Sequence, residues 1–243
     1  MNLNDLGQRI RVQREKCRLK QGDIARALGI TAQAVSKWER GENAPDIAVL
    51  VDLAKLLNVT TDWLLGRGEA LDSTFSASVL CTDLSGFAAR AAEIPPRDLA
   101  CWANGIFAQV TDAALHYDGV PVKYIGDGFL SFFSGPKHAD RAAKAAIHVK
   151  ALTANPALGV AVHSGEVYLG PVGHPEYARP DILGETVNIA FLVLHWVAGH
   201  TKSRVGITES TAALLQERPK LAKPKKVDLK PMRASIQVYE ALS

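Results

Sequence analysis

Between Leu3 and Leu65 the apolar positions recur only at helical spacing. Ile47, Leu50, Val51, Ala54 and Leu57 fall at i, i+3, i+4 and i+7 and one turn beyond, which predicts a helix turning all five toward a core. Asp46, after Pro45, suits the start of that helix. Gln21, Ile24, Ala25 and Leu28 fit an earlier helix, and Gly29 supplies the left-handed residue that a tight turn needs. Thr31 then suits the N-cap of a following helix whose Val35 and Trp38 point inward. Short gaps between these segments predict an all-α five-helix bundle, and two short helices joined by a glycine-containing turn have the helix-turn-helix layout. From Ser73 onward the pattern changes. Val79-Leu80, Val120 to Phe133, Leu158 to Val162, Arg204 to Ile207 and Ile236 to Tyr239 read as strands. Helical stretches lie between them, around Arg97 to Ala114, Arg141 to Leu152, Thr186 to Val197 and Glu209 to Leu215. That alternation predicts an α/β or α+β domain. The boundaries expected are a helical domain over 1–66, a short polar linker over 67–75 and a mixed domain over 76–243.

Composition narrows the class. Of the 243 residues, 47% are apolar and 22% charged, which excludes a disordered or low-complexity chain. No run approaches the roughly 18 apolar residues of a membrane helix; Ile189 to Ala198, the best, is interrupted by His195. The N-terminus lacks the basic-then-apolar layout of a secretory signal. Cys17, Cys81 and Cys101 are scattered without CxxC spacing, so neither a disulfide framework nor a zinc site is expected, and a reducing cytoplasmic location is. The net charge of +3 neither demands nor forbids a nucleic-acid partner.

The helical half resembles the lambda-repressor-like (XRE-type) helix-turn-helix family over residues 3–66. The matching positions are Leu6, Ile10 and Arg14, then Gln21, Ile24, Ala25, Leu28 and Gly29, then Val35, Ser36, Trp38, Glu39, Gly41 and Pro45, closing at Leu65-Gly66. That resemblance implies binding to double-stranded operator DNA, with the second helix of the motif in the major groove. Ala32, Gln33, Ser36 and Lys37 would face bases; Gln33 suits adenine and Lys37 guanine. Gln21, Arg40 and Asn43 would touch phosphates and set the register. A protein-binding helical module is the bland alternative, and 11 Lys and Arg against 8 Asp and Glu over residues 1–67 is only mildly basic. A single module of that charge binds weakly, so a dimer on paired half-sites about one turn (~34 Å) apart is expected.

In the mixed half, Asp83 ends an apolar strand, and Asp127 lies at the tip of a hairpin turning at Gly126 to Gly128. A strand-end and a hairpin-tip carboxylate can converge on Mg²⁺, which takes one or two carboxylates together with substrate phosphates. Taken singly, Asp83 reads more readily as a helix cap near Ser85, and Asp127 as an ordinary turn residue. Two further blocks follow: His163-Ser164-Gly165-Glu166-Val167, and Asp181-Ile182-Leu183-Gly184-Glu185-Thr186-Val187-Asn188-Ile189-Ala190. The order and spacing of the four blocks resemble the class III adenylate/guanylate cyclase catalytic domain over residues 76–241, with Val227-Asp228-Leu229-Lys230 and Val238-Tyr239-Glu240 similar to its closing strands.

That resemblance implies an α+β ferredoxin-like (βαββαβ) domain working as a head-to-tail homodimer. Asp83 and Asp127 of one protomer would hold Mg²⁺ or Mn²⁺. From the partner protomer, Lys123 and Asp181 would select the base. A lysine donor for N1 and an aspartate acceptor for the N6 amine favour ATP among purine nucleotides. Asn188 would orient the ribose and Lys230 would bind the triphosphate. The departures are as informative. The family's transition-state arginine, four residues after Asn188, is Leu192 here, and its triphosphate-binding arginine, four before His163, is Gly159. Losing one such cation typically costs about 10²–10³ in rate. Arg179, Arg90 and His195 are the candidates to stand in. The expectation is a transcription regulator whose cyclase domain binds ATP and converts it to cyclic AMP. The alternative is a catalytically degenerate domain that senses a nucleotide and controls DNA binding. His163 reads as a packed core histidine, and the lysines from Lys220 to Lys230 as a solvated edge.

Overall fold

The computed structural model describes residues 2–67, 74–174, 177, 179–229, 232 and 234–242. The chain forms two compact units, Met1–Ser73 with Leu169–Asp181, and Thr74–Tyr168 with Ile182–Ser243.

The first unit is built on five helices, α1 (Leu3–Lys16), α2 (Gln21–Ala27), α3 (Ala32–Glu39), α4 (Ile47–Leu56) and α5 (Thr61–Leu64). Short polar side chains start four of them. Asn2, Thr31, Asp46 and Thr60 each accept a backbone N–H of the first turn, satisfying donors the helix itself leaves open. Gly29, at φ +64°, makes the turn between α2 and α3. The core joins Leu6, Ile10, Ile24, Val35, Trp38, Leu53, Leu57 and Leu64. Gly7 lets α1 lie directly on α3, because a Cβ there would run into the Trp38 carbonyl. Under that crossing, Arg14 is ion-paired to Glu39, whose side chain is only 4% exposed, and also donates to the Leu19 carbonyl.

The α4 stripe is corrected by one step around the helix. Ile47 is 83% exposed and Val51 45% exposed, while Leu53, Ala54 and Leu57 are buried and Leu50 is partly so. Leu50, Leu53, Ala54 and Leu57 also stand at i, i+3, i+4 and i+7. Two overlapping stripes satisfy the same periodicity, and only packing chooses between them.

The strands form an eight-stranded sheet, with β1 (Thr74–Leu84), β2 (Val120–Ile125), β3 (Gly128–Ser134), β4 (Leu158–Val172), β5 (Arg179–Leu183), β6 (Val205–Thr208), β7 (Lys225–Leu229) and β8 (Ala234–Glu240). Its order is β2-β3-β1-β4-β6-β8-β7, with β5 paired to β4 off this path. The pairs β2–β3, β3–β1 and β1–β4 are antiparallel. With α6 (Phe87–Glu93) and α7 (Pro96–His116) after β1, and α8 (His138–Thr153) after β3, this is the βαββαβ ferredoxin-like core expected. β6 then runs parallel to β4, followed by the short α10 (Glu209–Ala212), β7 and β8.

One sheet face buries Leu80, Leu84, Phe129, Phe133, Val160 and Val162 against α7 and α8. Alternation sends their neighbours to the other face, where α9 (Glu185–His200) lies. A Cβ at Gly159 would meet Leu194 Cδ1 at 3.3 Å, and one at Gly206 would strike Val197. β5 was not expected, and β7 was expected only through the similarity of Val227-Asp228-Leu229-Lys230 to a closing strand. β5 is five residues long and carries Pro180 and Asp181, and β7 presents Lys225, Lys226 and Asp228 outward with Val227 and Leu229 inward at the sheet edge. Charged edge strands of that length give little apolar signal.

Candidate functional site

β1 and the β2–β3 hairpin bring two acids together. Asp83 sits one residue from the end of β1, on the α9 face, paired with Gly159 of β4. Ile125 pairs with Gly128, so the hairpin turns through Gly126 and Asp127, with Gly126 at φ +59°. Gly128 lets that tip close on β1: a Cβ there would stand 2.8 Å from the Thr82 carbonyl. The consequence is that Asp127 comes within hydrogen-bonding reach of Asp83. Burial and the neighbouring Asp127 push the Asp83 carboxyl above the usual carboxylate range, opposed in part by His195. Asp83 does not cap α6, which starts after Gly86, a residue in left-handed conformation at φ +83°.

Two half-buried carboxylates pressed together fit a divalent cation, which would relieve their repulsion and bring its remaining coordination from phosphates and water. Among the described residues no group of three or more His, Cys, Asp or Glu forms a complete protein cage. The donor set therefore suits Mg²⁺ or Mn²⁺ shared with a phosphate ligand.

Beside Asp83 opens a cavity of about 660 Å³, walled by Leu192, His195, Trp196 and His200 of α9 and by Asp228 of β7. Leu192 is half-buried in that wall and brings no charge to it. Trp196 and His200 stack in parallel, ring centroids 4.9 Å apart. Of this wall, Leu192 was expected as the place of the family's transition-state arginine and His195 as a candidate to stand in, while Trp196, His200 and Asp228 were not expected. Asn188, Leu192 and His195 stand at i, i+4 and i+7, on one helix face.

The remaining candidates are spread along the sheet. Lys123 is exposed on β2, just past an irregularity in the pairing with β3 between Pro121 and Lys123. Asp181 is half-buried on β5, and Asn188 is exposed in the first turns of α9. Lys230 lies outside the described residues. His163 is the core histidine expected. It is 5% exposed, its Nδ1 is 2.8 Å from Thr208 Oγ1, and burial holds its pKa down to about 4.

In the helical unit, Ala32, Gln33 and Lys37 lie exposed along one face of α3, with Ser36 half-buried between them. Arg40 donates to Ser36 Oγ at 2.7 Å and forks onto Glu42, holding the Glu42 carboxyl below its usual range. Gln21 donates to Glu39 at 2.8 Å, so its amide is oriented by the buried ion pair. Asn43 accepts from the Ala44 N–H. The α3 face thus presents one amide, one ammonium and a methyl, anchored from beneath by Val35 and Trp38.

Comparison with known proteins agrees with both halves. Residues 10–64 match the helix-turn-helix family, and residues 71–240 match the adenylate and guanylate cyclase catalytic domain family. Repressor protein C2 of Salmonella phage P22 is 37% identical over 65 residues, 27% of this chain and 30% of the repressor, so the chain spans under a third of that relative. The crystal structure of the adenylyl cyclase CyaB from P. aeruginosa superposes with a TM-score of 0.59 at 20% identity, covering 70% of this chain and 95% of that one. The guanylate cyclase domain of RhGC from Catenaria anguillulae, in complex with GTP, gives 0.61 at 19%, covering 69% and 96%. The chain belongs to the adenylate and guanylate cyclase catalytic domain family, and carries a helix-turn-helix domain ahead of the cyclase domain.

Proposed function

We propose that this protein is a cytoplasmic, DNA-binding transcription regulator whose cyclase domain binds ATP at a homodimer interface and converts it to cyclic AMP and pyrophosphate. The observation that carries this reading is the Asp83–Asp127 pair, two half-buried acids brought together where a divalent cation would relieve their repulsion. Bound there, Mg²⁺ or Mn²⁺ would neutralise the triphosphate and make the ribose 3′-hydroxyl more acidic. The chain's own residues do the positioning. Lys123 donates to adenine N1 and Asp181 accepts from the N6 amine. Guanine offers the reverse pattern, which sets the preference for ATP. Asn188 holds the ribose so that O3′ approaches the α-phosphorus as the bond to pyrophosphate breaks, and Lys230 holds the leaving group. Ala32, Gln33, Ser36 and Lys37 read an operator in the major groove, while Gln21, Arg40 and Asn43 fix the register on phosphates.

The test is purified full-length protein with ATP or GTP and Mn²⁺, assayed for cyclic nucleotide and pyrophosphate. Steady cyclic AMP that disappears in Asp83→Ala supports the reading. A second reading is favoured by Leu192 and Gly159. Leu192 brings no cation to the Asp83 cavity, and Leu194 lies close above Gly159. Under it the domain is a nucleotide sensor whose ligand shifts the dimer between operator-binding geometries. Saturable ATP binding by calorimetry with no product, and operator affinity that moves with ATP, would establish that reading in place of the first.

A further inference from the structure

The sheet edge opposite the β2–β3 hairpin carries charge of one sign. The segment leading into β7, Arg218-Pro219-Lys220-Leu221-Ala222-Lys223-Pro224-Lys225-Lys226, has five cations and no acid, in a chain with 28 Lys and Arg against 25 Asp and Glu. It is not a loose connection. Leu221 pairs antiparallel with Ala241, the Ala222 N–H donates to the Glu240 carbonyl, and the Leu242 N–H donates to the Lys220 carbonyl. The run therefore extends β7 backward along β8, and Pro219 and Pro224 fix φ within it. From Lys220 to Lys226 an extended chain covers about 20 Å, the length of about six phosphates of one DNA strand.

The neighbouring acids are engaged elsewhere. Glu217 is paired with Lys144 at 2.7 Å. Glu240 accepts the backbone N–H groups of Lys202 and Ser203, both at 2.7 Å, and Asp228 lies in the wall of the Asp83 cavity. Lys225 is committed too: its ammonium donates to the His200 carbonyl at 2.9 Å, 5.9 Å from the centre of the Trp196 ring. Arg218, Lys220, Lys223 and Lys226 are exposed, and among the described residues none of the four is in an ion pair. Lysines also guard edge strands against pairing, but a guard does not require the exclusion of acids, and Arg218 lies outside the paired stretch. Elsewhere the surface mixes its signs, as in Arg11–Glu15, Arg40–Glu42 and Lys55–Asp52. We propose that Arg218, Lys220, Lys223 and Lys226 form a second DNA-contacting surface, on the cyclase domain, that holds the phosphate backbone without reading bases. The partner is duplex DNA because the same chain carries a helix-turn-helix domain. A row of fixed, unneutralised cations complements a repeating polyanion. The inference rests on the DNA-binding reading and is independent of nucleotide cyclisation.

The test is fluorescence anisotropy of the full-length protein on a labelled duplex of arbitrary sequence, about 30 base pairs long, over a series of KCl concentrations. In Arg218→Gln/Lys220→Gln/Lys223→Gln the slope of log affinity against log salt falls by about 2–3, nearly one per lost phosphate contact. Affinity at about 0.1 M KCl falls about tenfold or more. These side chains are exposed and outside the wall of the Asp83 cavity, so the melting temperature stays at the wild-type value. Lys220→Arg/Lys223→Arg keeps the wild-type slope, because the contact requires charge alone. Preference among operator sequences is retained in the triple variant, in contrast to Lys37→Ala, which relaxes it. A wild-type salt slope in the triple variant would overturn the proposal. An unchanged slope on DNA together with lost binding to phosphatidylserine-containing vesicles would overturn it in favour of an anionic membrane surface. If the wild type binds neither an operator nor the arbitrary duplex, the DNA-binding reading fails and takes this surface with it. That pattern is distinct from a wild type that binds and a triple variant that binds equally.

Discussion

Asp83 is the residue at which folding and function oppose one another. Burial and the adjacent Asp127 raise its carboxyl above the ordinary range. A group whose folded pKa is raised contributes stability below the ordinary carboxylate range and loses it as pH rises through the folded pKa. As pH rises the domain therefore carries a penalty that a bound divalent ion would remove. Asp83→Asn is expected to raise the metal-free melting temperature by a few degrees and to abolish the rise that MnCl₂ produces in the wild type, as thermal melts with and without the ion would show. His163 has the opposite sign. Its pKa is held to about 4 against an ordinary 6.5, so the fold favours the neutral ring. Above pH 6.5 this has no effect. As pH falls from 6.5 to 4 the unfolded chain binds a proton that the folded chain refuses, and roughly 3 kcal/mol is lost. Chemical denaturation at pH 7 and pH 4.5 would measure the loss, and His163→Gln should flatten it. Residue identity was enough to read His163, an apolar-strand histidine. It was not enough to read what satisfies the ring. Thr208, Thr211, Ser164, Ser78 and His138 form a chain of side-chain hydrogen bonds with it, drawn from separate strands and helices.

Elements explain why the acids meet. The β2–β3 tip closes on β1 because Gly128 has no Cβ to strike the Thr82 carbonyl. Gly128→Ala should push the tip outward and weaken Mn²⁺ binding about tenfold or more in calorimetric titration, while the remainder of β3, buried from Phe129 to Phe133, holds the fold. The α9 helix shows which arginine can be returned. Leu192 borders open space, whereas the position above Gly159 meets Leu194 at 3.3 Å and the strand opposite is Asp83 itself. Leu192→Arg is accordingly expected to raise turnover about 10²-fold, the worth of a transition-state cation, and Gly159→Arg to lower stability without that gain. Much at this scale was legible beforehand. The Gly126–Gly128 turn, the Thr31 cap and the strand–helix alternation rest on local chemistry. The inward face of α4 was not, because two stripes sharing Leu50, Ala54 and, one turn on, Leu57 satisfy one period. Around Asp83, Leu192 and His195 were legible, but their meeting with Trp196, His200 and Asp228 was not, since β1, α9 and β7 come together only in the fold.

At the scale of the whole molecule the question is whether the two domains share an equilibrium or only a chain. The α3 face supplies few specific donors, with Gln33 and Lys37 exposed and Ser36 engaged by Arg40, so a single module has little with which to hold DNA. Paired modules on two half-sites multiply that affinity without new contacts. Binding of full-length protein to an operator recovered from a random-sequence library should thus require two half-sites and fall steeply with salt. Lys37→Ala should cost about 1–3 kcal/mol and relax sequence preference at one position per half-site. The cyclase domain enters through linkage. A ligand moves operator affinity only by its differential affinity for the DNA-competent and DNA-incompetent dimers. If catalysis is the domain's purpose, no such difference is needed. Asp127→Ala should then abolish product and leave operator affinity within about twofold, below the 1.4 kcal/mol that a tenfold shift represents. If Asp127→Ala or added ATP instead shifts operator affinity tenfold or more, the nucleotide is the signal. Reciprocity then requires operator DNA to change ATP affinity by the same factor, which calorimetry with and without the operator measures directly.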